Sequence, residues 1–353
     1  PRDADLAVQP TAPAVDASLG ALFLLLLCRL GWALCTDLFE RGLRGSALAV
    51  QFFCCLLGVV LFSRGTAWGA AAVGACVSRG RRGAHIPADC RHPLRSALQQ
   101  RKFADQAWQL AIHLSMALFE AYLLKGTTWW QDPATAFAPC PDAFVRGRER
   151  HRPALRFFYV LQLAIWVWTG FSCKWVESRR KDYVEMMLHH IVTFTLILYS
   201  MLNGELAIGL VVLFVHDASD VVLDLMKMLN YLKMEGAHGW FAVEAMFVCN
   251  LFSWAYFRLY VFPVYVVYRG AYVGYANQCG AEGTVGHFAR CQSAGSCLQS
   301  DIGLCVLCCL HVFWFGLLLR IAAKLLTGTG ASQAGREDYE GLSESDSESL
   351  KKR

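Results

Sequence analysis

Charge is what this sequence has least of. Asp, Glu, Lys and Arg make up 17% of its 353 residues, against about 25% in soluble globular domains. Hydrophobic residues reach 56% and the mean hydropathy is +0.36, which together exclude a water-soluble fold. The net charge of +5 is small, and the basic residues sit between apolar runs, where they control topology. That placement argues against nucleic acid as a partner. Zinc-type CxxC pairs are absent from the loops. Cys305, Cys308 and Cys309 lie inside an apolar run, as do most of the 15 cysteines, where a thiol acts as a small hydrophobe. HxxxH and HxxHH boxes are missing too: the ten histidines, at 85, 92, 113, 151, 189, 190, 216, 238, 287 and 311, form none. This weighs against the di-iron chemistry of membrane desaturases and hydroxylases. The first eighteen residues lack the basic n-region of a cleaved signal peptide, and a chain starting at Pro1 reads as a fragment or a processed form.

What is present is a series of apolar runs close to the roughly 20 residues a helix needs to cross hydrocarbon. The expected fold is an all-α polytopic membrane protein. Residues 1–18 are Pro/Ala-rich and read as disordered. An N-terminal transmembrane region follows over 19–78, with runs at Leu19–Cys35, Ala47–Phe62 and Trp68–Val77. A basic loop at 79–100 is assigned to the cytosol. Six further spans are expected near 105–125, 154–173, 184–203, 206–226, 240–262 and 302–326. Residues 329–353 are an acidic, Ser-rich tail, placed in the cytosol by alternation. The same alternation puts loops 126–153 and 263–301 in the lumen, although Arg146, Arg148, Arg150 and Arg152 in the first run against the positive-inside tendency. Cys279, Cys291 and Cys297 share the second loop, where an oxidising lumen would allow one disulfide of undetermined pairing.

The chemistry concentrates between Arg179 and Tyr231. One run there carries His189 and His190, the next His216, Asp217 and Asp220. An ionisable group at membrane depth costs roughly 2.5–3.5 kcal/mol on insertion scales, so it defaults to a functional reading. With a rise of 1.5 Å per residue, a helix entering the membrane near Val184 places the histidines about 8–9 Å deep, and one leaving near Met226 places Asp220 about 9 Å deep. This register suggests one site near the cytosolic face. Asp217, Asp220 and Asp224 follow i, i+3, i+7 spacing on one helical face, and His216 lies at i−4 from Asp220. Three acids on one face repel, and they require histidines, a cation or a substrate amine beside them. A histidine backed by a carboxylate is a tuned base or nucleophile, able to deprotonate an amine attacking a thioester or to attack the thioester itself. Hydrogen bonding between helices is the plainer role for these residues. They also offer enough ligands for a metal-dependent lipid oxidase, a weaker reading without the histidine boxes; the site is read with no metal.

The stretch RRKDYVEMMLHHIVTFTLILYS with VLFVHDASDVVLDLMKMLNY resembles the Lag1 motif of ceramide synthases, within the TLC membrane domain. RKFADQAWQLAIHLSMALFEAYLL (101–124), SWAYFRLYVFPVYVVY (253–268) and RIAAKLLTG (320–328) resemble the family's first TLC helix, its penultimate helix and its C-terminal exit, so the resemblance covers residues 101–328. It implies a TLC-type six-helix bundle with one or more additional N-terminal spans, in the endoplasmic reticulum membrane with the C-terminus cytosolic. It further implies N-acylation of a sphingoid base by a fatty acyl-CoA to (dihydro)ceramide. No cofactor is implied, because acyl-CoA is a co-substrate, and the partners are those two substrates, the bilayer and an oligomer of like or unlike chains. Carried onto this sequence, His189 and His190 supply the nucleophile or base, while Asp217 and Asp220 orient them or accept the substrate ammonium. Arg258, Asp224 and His216 fall to substrate binding, with Arg179, Arg180 and Lys181 placed for CoA phosphates. Ser343, Ser345, Ser347 and Ser349, set among acids, are candidate phosphosites. The alternative function is a non-catalytic TLC protein that binds or organises membrane lipids.

Overall fold

The structure is a computed structural model that describes residues 13–45, 47–80, 97–137, 152–176, 182–203, 206–236, 241–273 and 297–327. These form α1 (Pro13–Gly45), α2 (Ala47–Gly80), α3 (Ala97–Leu124), α4 (Arg152–Trp175), α5 (Tyr183–Asn203), α6 (Leu206–Tyr231), α7 (Ala242–Trp254), a π-helix, π1 (Ala255–Val273), and α8 (Cys297–Thr327), with a 3-10 turn at Pro133–Phe137. No strand occurs among the described residues. Among the described residues, eight helical segments are long and apolar enough to cross a membrane, α7 and π1 counting as one. In hydrocarbon every backbone N–H and C=O must be satisfied within the chain, and helices do this segment by segment. Large apolar side chains such as Leu25, Leu118 and Phe252 are correspondingly exposed, facing where lipid tails lie.

The N-terminal region differs from the sequence expectation in two places. α1 starts at Pro13, inside the stretch read as disordered. The runs Ala47–Phe62 and Trp68–Val77 belong to one helix, α2. Ser63, Arg64 and Gly65 lower the hydropathy between them but do not break the backbone ladder. The hydroxyls of Ser63 and Thr66 bond back to the carbonyls of Val60 and Ser63, at 2.9 Å each. The penultimate span also runs past its expected end at 262, continuing to Gly270. Pro263 lies inside π1. In α winding its ring would collide with the carbonyl four residues back, and wider winding relieves that clash.

Internal contacts divide the chain into two units. The first comprises 1–56, 157–202 and 302–353, the second 57–156 and 203–301. In the first, Phe23 of α1 is fully buried against Tyr183, Met187 and Ile191 of α5, with Cys173 of α4 beside them. Asp16 binds Lys174 as an ion pair and accepts a 2.8 Å hydrogen bond from the Tyr183 hydroxyl, tying α1 to α4 and α5. Small residues let membrane helices approach closely, and Gly170 is such a position. A Cβ there would stand 2.7 Å from two atoms of the Phe23 ring. Gly170→Ala should therefore destabilise the folded protein by about 1–3 kcal/mol, read as a lower melting temperature in detergent. Pairing it with Phe23→Leu should restore part of the loss.

In the second unit α6 is central, packing against α3, α7 and π1. Ala70 of α2 and Phe103 of α3 are buried together with Met228 and Tyr231 near the end of α6. At the opposite end of α6, the segment after α3 meets π1. Arg269 donates to Asp132 at 3.0 Å, the Tyr265 hydroxyl donates to the Gln131 carbonyl, and Gly270 approaches Pro133 and Ile208. These contacts fix the register of π1 against α6.

Candidate active-site residues

His189 and His190 sit on α5 in the first unit, both buried. Trp166 of α4 stands edge-on to both imidazoles, its ring centroid 5.4 Å from each. Trp314 of α8 meets His189 at 5.6 Å with the planes at 87°. The indoles are themselves anchored: Trp166 Nε1 donates to Gln162 at 3.2 Å and Trp314 Nε1 to Asp182 at 3.3 Å. Adjacent residues on a helix point about 100° apart, yet both rings rest on Trp166 because it is wide enough to span them.

His216, Asp217, Asp220 and Asp224 lie on α6 in the second unit. The His216 Nδ1–H donates to the Val212 carbonyl at 2.7 Å. A carbonyl only accepts, so this bond fixes the tautomer and leaves Nε2 as the other site. The ring stands edge-on to Phe262 at 4.9 Å. Asp217 is buried on the same helix. Asp220 accepts from Arg258 Nη2 at 2.6 Å, and Arg258 Nε donates to Ser219 Oγ at 2.6 Å. A third bond runs from Arg258 Nη2 to the His216 carbonyl at 3.0 Å, and the guanidinium lies over Trp254 at 5.0 Å. Arg258 is thus an internal counter-charge, fastening π1 to α6. Its side chain is 2% exposed, whereas that of Asp220 is 21% exposed, so the carboxylate keeps an open side.

Asp224 turns to a different helix. Its Oδ1 accepts from Gln106 Nε2 at 2.6 Å and its Oδ2 from His113 Nδ1–H at 2.6 Å, both on α3. The acids read from sequence as one repelling face are therefore partitioned, Asp220 to Arg258 and Asp224 to α3. Sequence reading assigned no role to Gln106, His113, Ser219, Trp166 or Trp314. Gln106 and His113 did leave a signal, two polar residues seven apart on one face of an apolar span. A tryptophan in an apolar span leaves none. Arg179, Arg180 and Lys181 lie outside the described residues, as do the four tail serines, Cys279 and Cys291. Cys297 opens α8.

Known proteins share part of this sequence. The chain is 31% identical to human ceramide synthase 1 over 243 residues, which is 66% of this chain and 64% of that protein. It is 26% identical to the Arabidopsis thaliana ceramide synthase LOH2 over 65% of this chain and 71% of the relative. With the rice ASC1-like protein 3 it shares 32% identity over 172 residues, 48% of this chain and 56% of the relative. The chain thus spans between about half and two thirds of the length of the rice and human relatives. The TLC-domain family model matches residues 102–320, from the start of α3 to near the end of α8. The chain belongs to the TLC-domain family of multi-pass membrane proteins.

Proposed function

We propose that this protein is a sphingoid-base N-acyltransferase of the ceramide synthase type. It joins a fatty acyl-CoA to a sphingoid base, giving (dihydro)ceramide and free CoA. The observation that carries the reading is the buried histidine pair on α5, clamped between anchored indoles, in a TLC-domain chain whose relatives include proteins named ceramide synthases. Dry surroundings strengthen the electrostatics of such a pair. His189 or His190 attacks the thioester carbonyl, the C–S bond breaks, and the thiolate leaves with a proton as CoA. The amine then attacks the acyl-imidazole, and the C–N bond to histidine breaks as the amide forms. Direct transfer uses the same pair as general base. Asp217 and the open side of Asp220 hold the substrate ammonium, with Arg258 keeping Asp220 in place, and His216 lies one turn away on the same helix.

The working location is the endoplasmic reticulum membrane with the C-terminus in the cytosol. Arg179, Arg180 and Lys181 serve the CoA phosphates, and the tail serines are phosphosites. Support for these comes from the sequence pattern and the family. The test is direct. Membranes containing the chain, supplied with sphinganine and a panel of acyl-CoA lengths, should form dihydroceramides detectable by mass spectrometry. No product at any chain length would favour a TLC protein that binds lipid without acylating it.

A further inference from the structure

A hydroxyl inside an apolar helix has a partner at hand, the carbonyl three or four residues back. Ser115 donates to the Ala111 carbonyl at 2.6 Å, Ser219 to that of His216 at 2.8 Å, and Thr195 to that of Ile191 at 2.7 Å. Thr193, two residues before Thr195 on α5, does not follow them. Its hydroxyl is buried and has no hydrogen-bond partner among the described residues. Such a group carries a desolvation cost with nothing to offset it, and valine, of nearly the same shape, would avoid that cost. The position of Thr193 matters as much as the missing bond. It follows His189 by four residues and His190 by three, so it shares a helical face with them. At 3.6 residues per turn it points about 40° from His189 and about 60° from His190, in the wedge between the two. Side chains on a helix tilt toward its N-terminus, which leans Thr193 back over the histidines. Its burial matches theirs, at 7% exposed against 9% for His189 and 8% for His190.

We infer that the Thr193 hydroxyl donates a hydrogen bond to the oxyanion that forms on the acyl-CoA thioester when His189 or His190 attacks it. The inference rests on the acyltransferase reading with histidine as nucleophile, and every residue it uses belongs to α5. In the attack, an imidazole nitrogen bonds to the carbonyl carbon and the C=O π pair moves onto oxygen. The hydroxyl keeps its proton and presents it to that new charge. The pair then returns to re-form C=O, the C–S bond breaks, and the thiolate takes the proton of the other ring nitrogen to leave as CoA. A donor held where charge develops stabilises the transition state, and it is worth most where water is excluded. A threonine hydroxyl has one proton to give. Bonded to the His189 carbonyl, as Thr195 is bonded to that of Ile191, it would have none left for the substrate.

The test compares the full chain with Thr193→Val and Thr193→Ser in membranes, using sphinganine and acyl-CoA. Losing one oxyanion donor lowers kcat by about 10²–10³-fold, so Thr193→Val should show a loss of that size with the KM for acyl-CoA unchanged. Acylation of the protein by acyl-CoA alone, followed by mass spectrometry over time, should slow by the same factor. Thr193→Ser keeps the hydroxyl and should stay within about tenfold of wild type, well above the range for a lost donor. Valine keeps the β-branch and its rotamer restriction and removes a hydroxyl that has no partner to lose, so the variant should melt no lower than wild type. If Thr193→Val instead melts lower and its defect lies in KM, the hydroxyl is structural and the inference falls. Val and Ser variants with equal losses would assign the effect to volume and overturn it, as would a Thr193→Val kcat close to that of wild type. A lowered kcat with undiminished acylation by acyl-CoA alone overturns it too. A wild-type chain that makes ceramide without ever carrying an acyl group would remove the nucleophilic route, and this inference with it. Failure to make any ceramide would instead remove the acyltransferase reading itself.

Discussion

Arg258→Leu should destabilise the protein by about 3–5 kcal/mol, the range for removing one partner of a buried ion pair. The substitution strands three groups at once. Asp220 loses its counter-charge, and Ser219 Oγ and the His216 carbonyl lose their donor. Leucine fills much of the volume but offers nothing to these atoms, and the Trp254 face loses its cation. The double variant Arg258→Leu/Asp220→Asn should recover more than half of the loss, because the stranded charge is gone. Arg258→Lys should fall between them, since an ammonium keeps the charge but cannot reproduce a planar fork contacting three partners. Melting of the wild type, these three variants and Asp220→Asn alone, purified in detergent, measures the coupling. Strictly additive losses would mean that Asp220 and Arg258 do not depend on each other, against the 2.6 Å contact.

The same pair shows what sequence reading could and could not deliver. Arg258 was conspicuous as a cation inside an apolar run, and the three acids of α6 as a repelling face in need of a cation. What brings them together is a fold in which residues 38 apart share one contact. Asp224 and His113 are 111 residues apart, and no periodicity connects them. The spans themselves were legible because bilayer thickness and backbone hydrogen bonding leave so few solutions. Where reading stopped short, it gave two apolar runs on either side of a dip in hydropathy that a single helix, α2, crosses, and set a span near 240–262 that runs on through Pro263 with a change of winding. The histidine pair was legible as an anomaly, but Trp166 and Trp314, which grip it, were not. An aromatic side chain in an apolar span satisfies the lipid rule whether or not it touches a reacting group.

Those indoles sharpen the expectation for the pair itself. His189→Ala should reduce ceramide formation by about 10³-fold or more, at the upper end of the range for losing a general acid–base group, with little change in melting temperature. His189 meets Trp166 and Trp314, His190 meets Trp166, and the two imidazoles stand 5.9 Å apart. His189 lies one turn from Glu185 on α5, and it is the expected nucleophile. Incubation with acyl-CoA alone should add the mass of one acyl chain to the wild-type protein and to His190→Ala, and none to His189→Ala. Trp314→Leu should slow adduct formation while leaving the His190 contacts with Trp166 in place. An adduct that persists in His189→Ala and vanishes in His190→Ala would exchange the two roles. Absence of any adduct during turnover would assign the pair to general-base catalysis, with the amine attacking the thioester directly.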